Sequence, residues 1–204
     1  MREHWNSLLT ERSWEILKEL HKKYTFILIG GWAIYLWTKQ QKSKDIDIVV
    51  DIKELQRLKQ ENLSKNDQLK KYEIKFGETD VDIYVAYFSK LSIPVEDIEK
   101  YTSFVEGFHV VNPEGLLVLK QGAELSRGNS LKGEKDRIDI MSLLFSADID
   151  LKKYYTILKN YKLDNYIDRL IILLKNFGDY QQFNLSPREF KLKKKDIIDI
   201  LRRV

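Results

Sequence analysis

In the run DIDIVV, Asp45 and Asp47 are separated by a single isoleucine, and residues two apart on a β-strand project to the same face. Like charges held side by side repel unless water or a cation compensates them. A second pair, Asp80 and Asp82, alternates with Val81, Ile83 and Val85, so these carboxylates also face away from the core. If the two strands are neighbours, Asp45, Asp47 and Asp82 converge. Hard divalent cations such as Mg²⁺ take oxygen ligands and would offset the repulsion. Two such ions about 4 Å apart polarise an incoming hydroxyl and stabilise a leaving pyrophosphate in an in-line phosphoryl displacement. Ahead of the aspartates, Gly30 and Gly31 end a short apolar run where a helix begins, and a helix N-terminus with bare backbone N–H groups is a cradle for phosphate. Ser43, two residues before Asp45, can donate its hydroxyl to a phosphate oxygen, while Lys44 points to the opposite face once the strand has begun. Asp80 shares the face of Asp82 and competes with it as third ligand; Asp82 is favoured because it lies inside the apolar run.

The elements that position these residues are readable from periodicity. Trp5, Leu8, Leu9, Ser13, Ile16, Leu17 and Leu20 recur at helical spacing, so an amphipathic helix opens the chain. FILI (26–29) reads as a buried strand, the glycine pair breaks it, and Ala33, Ile34, Leu36 and Trp37 begin a second helix. After the DIDIVV strand, Asp51 stands three residues before Glu54, a capping pattern for the helix IKELQRLKQ. YEIKFG and VDIYVAY flank Glu78 and Thr79 and predict a hairpin. A short strand covers His109 to Val111, and Asn112 and Pro113 form an N-cap and first-turn pair. Beyond it the pattern is helical: PEGLLVLKQGAELSR, EKDRIDIMSLLF, LKKYYTILKNY, DNYIDRLIILLK and a basic KKKDIIDILRRV. The expected organisation is an α/β core over 1–104 and a helical C-terminal region over 105–204 that completes the active-site cleft.

This order of strand, GG, helix, DxD strand and third aspartate on a later strand resembles the DNA polymerase β-like nucleotidyltransferase superfamily. The resemblance implies an α/β (α+β) fold, a mixed sheet flanked by helices with a C-terminal helical bundle. It also implies that Gly30 and Gly31 contact the triphosphate and that Asp45, Asp47 and Asp82 hold two Mg²⁺ ions. LLVLKQGAELSR followed by KGEKDRIDIMSLL is similar to the helical segment of AbiE-type toxin nucleotidyltransferases. That second resemblance implies that Lys120 neutralises phosphate and acts in catalysis, with Asp136 or Asp139 positioning it or Lys135 in nucleotide binding. GGWA also resembles the antibiotic nucleotidyltransferases that act on aminoglycosides or lincosamides.

Composition narrows the setting. With no cysteine, disulfides, zinc thiolate sites and cysteine catalysis are excluded, and a reducing cytoplasm is the natural location. His4, His21 and His109 are scattered, and His109 reads as a strand residue. No charged leader precedes an apolar segment and no apolar run is long enough to span a bilayer, so a soluble protein without membrane partners is expected. A net charge of +4 is too mild to prove a nucleic-acid partner and leaves one possible. Tyr154, Tyr155, Tyr161 and Tyr166 have the helical spacing of core and rim, and the basic stretch from Lys191 to Arg203 that of a solvated helix face or an RNA-backbone contact. The expectation is a metal-dependent nucleotidyltransferase taking a nucleoside triphosphate such as ATP and carrying its monophosphate to an acceptor hydroxyl, with Asp82 as general base. The acceptor is tRNA or another RNA, with a small molecule or a protein as competing acceptors. A non-catalytic module paired with an antitoxin protein is the alternative from a different class.

Overall fold

The computed structural model describes residues 2–203, with side chains from 7 onward. Trp5 and His4 therefore lie outside the described side chains. The chain divides into two compact units, Met1–Asn112 and Pro113–Val204.

The first unit is built on a mixed seven-stranded sheet of order β3-β4-β5-β2-β1-β7-β6. Its strands are β1 (Ile27–Ile29), β2 (Ile46–Val50), β3 (Ser64–Asn66), β4 (Lys71–Phe76), β5 (Thr79–Val85), β6 (Thr102–Val105) and β7 (Phe108–Val111). Three helices accompany them: α1 (Arg2–Lys23), α2 (Gly30–Thr38) and α3 (Ile52–Leu58). β2 is central, antiparallel to β1 and parallel to β5. Strict alternation along β5 buries Thr79, Val81, Ile83 and Val85 and leaves Asp80, Asp82 and Tyr84 half-buried on the other face. β4 and β5 form the expected hairpin, but its turn is Gly77–Glu78, with Gly77 at φ 64°, so Thr79 already belongs to the strand. Asp51 caps α3, accepting a hydrogen bond from the Glu54 backbone N–H at 2.7 Å.

Several elements differ from the sequence expectation. Gly30 is the first residue of α2 rather than a break before it. β3, β6 and a 3₁₀ segment at Val95–Tyr101 are short elements outside the sequence expectation. β7 pairs in parallel with β1, which keeps the β6–β7 hairpin in the sheet of the first unit. Along α1, Ser13, Ile16, Leu17 and Leu20 are buried as the stripe requires, whereas Leu8 is exposed. Ser13 belongs to that stripe because its hydroxyl accepts the indole N–H of buried Trp32 at 2.8 Å, tying α1 to α2.

The second unit contains α4 (Pro113–Arg127), α5 (Leu131–Ser146), α6 (Leu151–Asn160), α7 (Asn165–Asn176) and α8 (Pro187–Leu201). Their shared core includes Leu117, Ile140, Leu143, Tyr154, Leu158, Leu170 and Leu174. α5 begins three residues earlier than expected because Ser130 caps it through the Gly133 N–H. α8 begins six residues earlier, where Ser186 and Glu189 form a capping box with Pro187 at the first helical position. Two residues of the basic stretch have structural roles. Lys193 Nζ donates to the Phe145 carbonyl, and Lys194 Nζ donates to the carbonyls of Lys175 and Phe177 at the end of α7. Among the described residues no helix is long and apolar enough to cross a membrane.

Ser13→Ala leaves the buried Trp32 N–H without its acceptor; a loss of about 1–3 kcal/mol is expected in urea denaturation, with the sheet's far-UV signature retained in the native baseline.

Candidate active site

The parallel register of β2 and β5 sets Asp47 directly opposite Asp82, and the antiparallel register of β4 and β5 sets Glu73 opposite Asp82. Register partners share a face, so Glu73, Asp82 and Asp47 form a row of three carboxylates across three neighbouring strands. Asp45 immediately precedes β2, one residue short of the ladder. Its Oδ1 is buried and has no hydrogen-bond partner. Asp80 lies two residues before Asp82, opposite Lys75, with its side chain about half exposed. Of the two alternatives, Asp82 is the one the register brings to Asp47.

The glycine pair meets these residues at the mouth of α2. Gly30 has φ +68°, a backbone conformation that side chains other than glycine's strain to adopt. A Cβ there would overlap Asp47 Oδ2, and a Cβ on Gly31 would fall 2.6 Å from Ser43 Oγ. The absent side chains are thus the room into which Asp47 and Ser43 fit. Ser43 is 2% exposed. The helix entrance has no side-chain cap, since Ile29 occupies the cap position. Its first-turn N–H groups and the positive end of the helix dipole suit an anion.

Sequence reasoning missed Lys71 and Glu73. The ammonium of Lys71 is 2.6 Å from Asp82 Oδ2 and 3.0 Å from Glu73 Oε1, and Asn66 donates its side-chain amide to Glu73 at 3.0 Å. The signal was present in KYEIKF, where Lys71 and Glu73 alternate with apolar residues, but only the hairpin register shows which carboxylate they meet. Tyr84 directs its hydroxyl to Asp47 Oδ1 at 3.5 Å. Burial and the negative charge of Asp47 push the Asp82 carboxyl up to about 6, against the opposing pull of Lys71. Burial pulls Lys71 down, but its hydrogen bonds to Asp82 and Glu73 more than offset this and hold it above the usual lysine range. The hydrogen bond from Lys71 holds Glu73 below the usual carboxylate range.

The donor set suits a hard divalent cation: oxygen ligands only, two carboxylates facing across strands, and a buried Asp45 oxygen with no hydrogen bond. As the side chains stand, no group of three or more acidic or histidine residues among those described is gathered closely enough to hold an ion. The convergence expected of Asp45, Asp47 and Asp82 is therefore limited to the Asp47–Asp82 pairing, with the Lys71 ammonium against Asp82. Binding of a cation would draw on side-chain rotation of Asp45 and Asp82.

The helical unit has its own charged cluster. Lys120 ion-pairs with Asp136 at 3.2 Å and with Asp139 at 2.8 Å, and Arg127 reaches Asp136 at 2.9 Å. Both aspartates are buried and Lys120 nearly so. Lys135, by contrast, is exposed. One helical turn beyond Lys120, fully buried Glu124 receives Arg137 at 3.1 Å and a two-pronged contact from Arg169. Glu124 was also missed, because its partners come from α5 and α7. Tyr154 and Tyr166 are core residues, Tyr154 donating its hydroxyl to buried Gln121.

No protein-family model matches the chain, and no curated protein matches it by sequence. Solved structures do share its fold. A candidate nucleotidyltransferase from H. pylori aligns with TM-score 0.51 at 17% identity, over 98% of this chain and 95% of that one. The antibiotic-resistance factor ANT(2'')-Ia in solution gives TM-score 0.51 at 14% identity, over 78% of this chain and 94% of its own. The crystal structure of ANT(2'')-Ia in complex with adenylyl-2''-tobramycin gives 0.51 at 12% identity, over 76% and 97%. The chain has a polymerase β-like nucleotidyltransferase fold.

Gly30→Ala combines an unfavourable φ with a clash on Asp47; a stability loss of about 1–3 kcal/mol is expected from the urea midpoint. A second expectation concerns charge. Folded Asp82 keeps its proton from about 3.8 to about 6, a range in which an unfolded chain has already released it, so its contribution to stability falls as pH rises through that window. Asp47→Asn removes the repulsion and should move the Asp82 midpoint below about 6 in a carboxyl-detected NMR titration; an unmoved midpoint would separate the two groups electrostatically.

Proposed function

We propose that this chain is a divalent-metal-dependent nucleotidyltransferase that transfers a nucleoside monophosphate from a nucleoside triphosphate to an acceptor hydroxyl. The observation that carries the reading is the register pairing of Asp47 with Asp82 beside the uncapped, glycine-opened N-terminus of α2. Bound magnesium ions would supply charge neutralisation at the triphosphate and polarisation of the attacking oxygen. Asp45, Asp47 and Asp82 would hold them. Gly30 and Gly31 bring backbone N–H groups to the triphosphate, and Ser43, packed on Gly31, fixes that turn and offers its hydroxyl to a phosphate oxygen. Asp82 accepts the proton of the acceptor hydroxyl. In the helical unit Lys120 is held by Asp136 and Asp139.

For the acceptor, an RNA such as a tRNA end is supported by the resemblance of the helical segment to AbiE-type toxins. Exposed Lys191, Lys195, Arg202 and Arg203 offer backbone contacts. An aminoglycoside hydroxyl is the second reading, favoured by the shared fold with ANT(2'')-Ia. The deciding experiment incubates the protein and Mg²⁺ with each α-labelled triphosphate, in parallel with a small-RNA pool, an aminoglycoside panel and a protein extract. Label should pass to one acceptor class. Asp45→Asn and Asp47→Asn should each lower transfer by about 100-fold or more while leaving the circular dichroism spectrum unchanged. Absence of both metal-dependent nucleotide binding and label transfer would instead favour a non-catalytic module, such as a partner of an antitoxin.

A further inference from the structure

Lys71 lies where a carboxylate row would otherwise need a cation. Its ammonium bridges Asp82 and Glu73, at 2.6 and 3.0 Å, and its side chain is only 13% exposed. Two residues along β4 from Glu73, it shares the polar face of the sheet and reaches Asp82 diagonally across the ladder. A lysine is a compact point charge on a flexible stem, so it can leave one oxygen for another a few ångströms away without unfolding anything.

We propose that Lys71 is a resident counter-cation that competes with the divalent metal for Asp82 and sets the site's metal affinity, with Glu73 as the seat to which the ammonium withdraws. The inference rests on the reading of Asp47 and Asp82 as metal ligands. In the metal-free chain Lys71 offsets the repulsion along Glu73, Asp82 and Asp47. When a divalent cation takes Asp82, the ammonium shifts fully onto Glu73, which is held by Asn66 and stays within the same salt-bridge network. The exchange keeps each carboxylate next to one positive charge, so metal entry never leaves a bare buried ammonium. It also makes metal binding weaker than the carboxylates alone would give, because each ion must first displace an existing ion pair.

The test is direct binding of Mn²⁺ to the full, nucleotide-free chain, read by calorimetry and by the loss of the free-ion electron paramagnetic resonance signal. Lys71→Gln should tighten Mn²⁺ binding about tenfold, since it removes the competing charge-assisted hydrogen bond. Glu73→Gln should weaken it several-fold, since the ammonium loses its alternative seat and stays on Asp82. Lys71→Arg, which keeps the positive charge, should remain near the parent value. A purely structural lysine would not move Mn²⁺ affinity in opposite directions for the two glutamine variants. If Lys71→Gln does not fold, as judged by circular dichroism, Glu73→Gln carries the test with its opposite sign. Unchanged or weaker binding in folded Lys71→Gln, with the parent protein still binding Mn²⁺, overturns the role of Lys71 and leaves the metal-site reading standing. Absence of Mn²⁺ binding in the parent and all variants removes both.

Discussion

Asp47 faces Asp82 across the parallel ladder of β2 and β5, and much of the first unit is arranged around that enforced pairing of like charges. Ile46, Ile48, Val81 and Ile83 are each completely buried on the opposite face, so neither strand can slip by a residue to separate the carboxylates without turning its apolar set outward. The repulsion is therefore built in by the core. What moderates it is the Lys71 ammonium from β4, the hydroxyl of Tyr84 on β5 itself, and partial exposure to water. The elevated Asp82 carboxyl is the residue of this compromise.

The glycine turn belongs to the same constraint. Asp47 fits only because Gly30 has no side chain, and Ser43 only because Gly31 has none. A turn selected for a phosphate's approach and a turn selected to admit an aspartate beside a helix N-terminus have the same composition. Here the glycine pair admits Asp47 and Ser43 and leaves the positive end of the α2 dipole near the carboxylates.

The helical unit handles buried charge differently. Asp136, Asp139 and Glu124 are all buried, and each is met by lysine or arginine from within the unit. Such pairs fix how helices seat against one another, because breaking one would strand a charge in a low-dielectric interior. Lys120 sits in that network, its ammonium oriented by two carboxylates.

Composition and spacing alone determined a good deal. The period-2 alternation around Asp45–Val50 and Thr79–Val85 placed aspartates on the polar face, the glycine pair marked a strand-to-helix turn, and Pro113 and Arg127 bounded a helix that forms as read. These are local properties, set by side-chain alternation, backbone sterics and capping, and they need no knowledge of distant residues. Only the tertiary structure shows that Asp82, rather than Asp80, stands opposite Asp47, because that depends on which strand lies beside β2 and in what register. It also decided that β7 joins the sheet beside β1, that Lys71 and Glu73 enter the carboxylate row, and that Glu124 gathers arginines from two other helices. Each of these is a contact between different strands or helices rather than within one. Its partner is chosen by burial of the whole apolar surface, a sum over the fold that no short stretch of sequence contains.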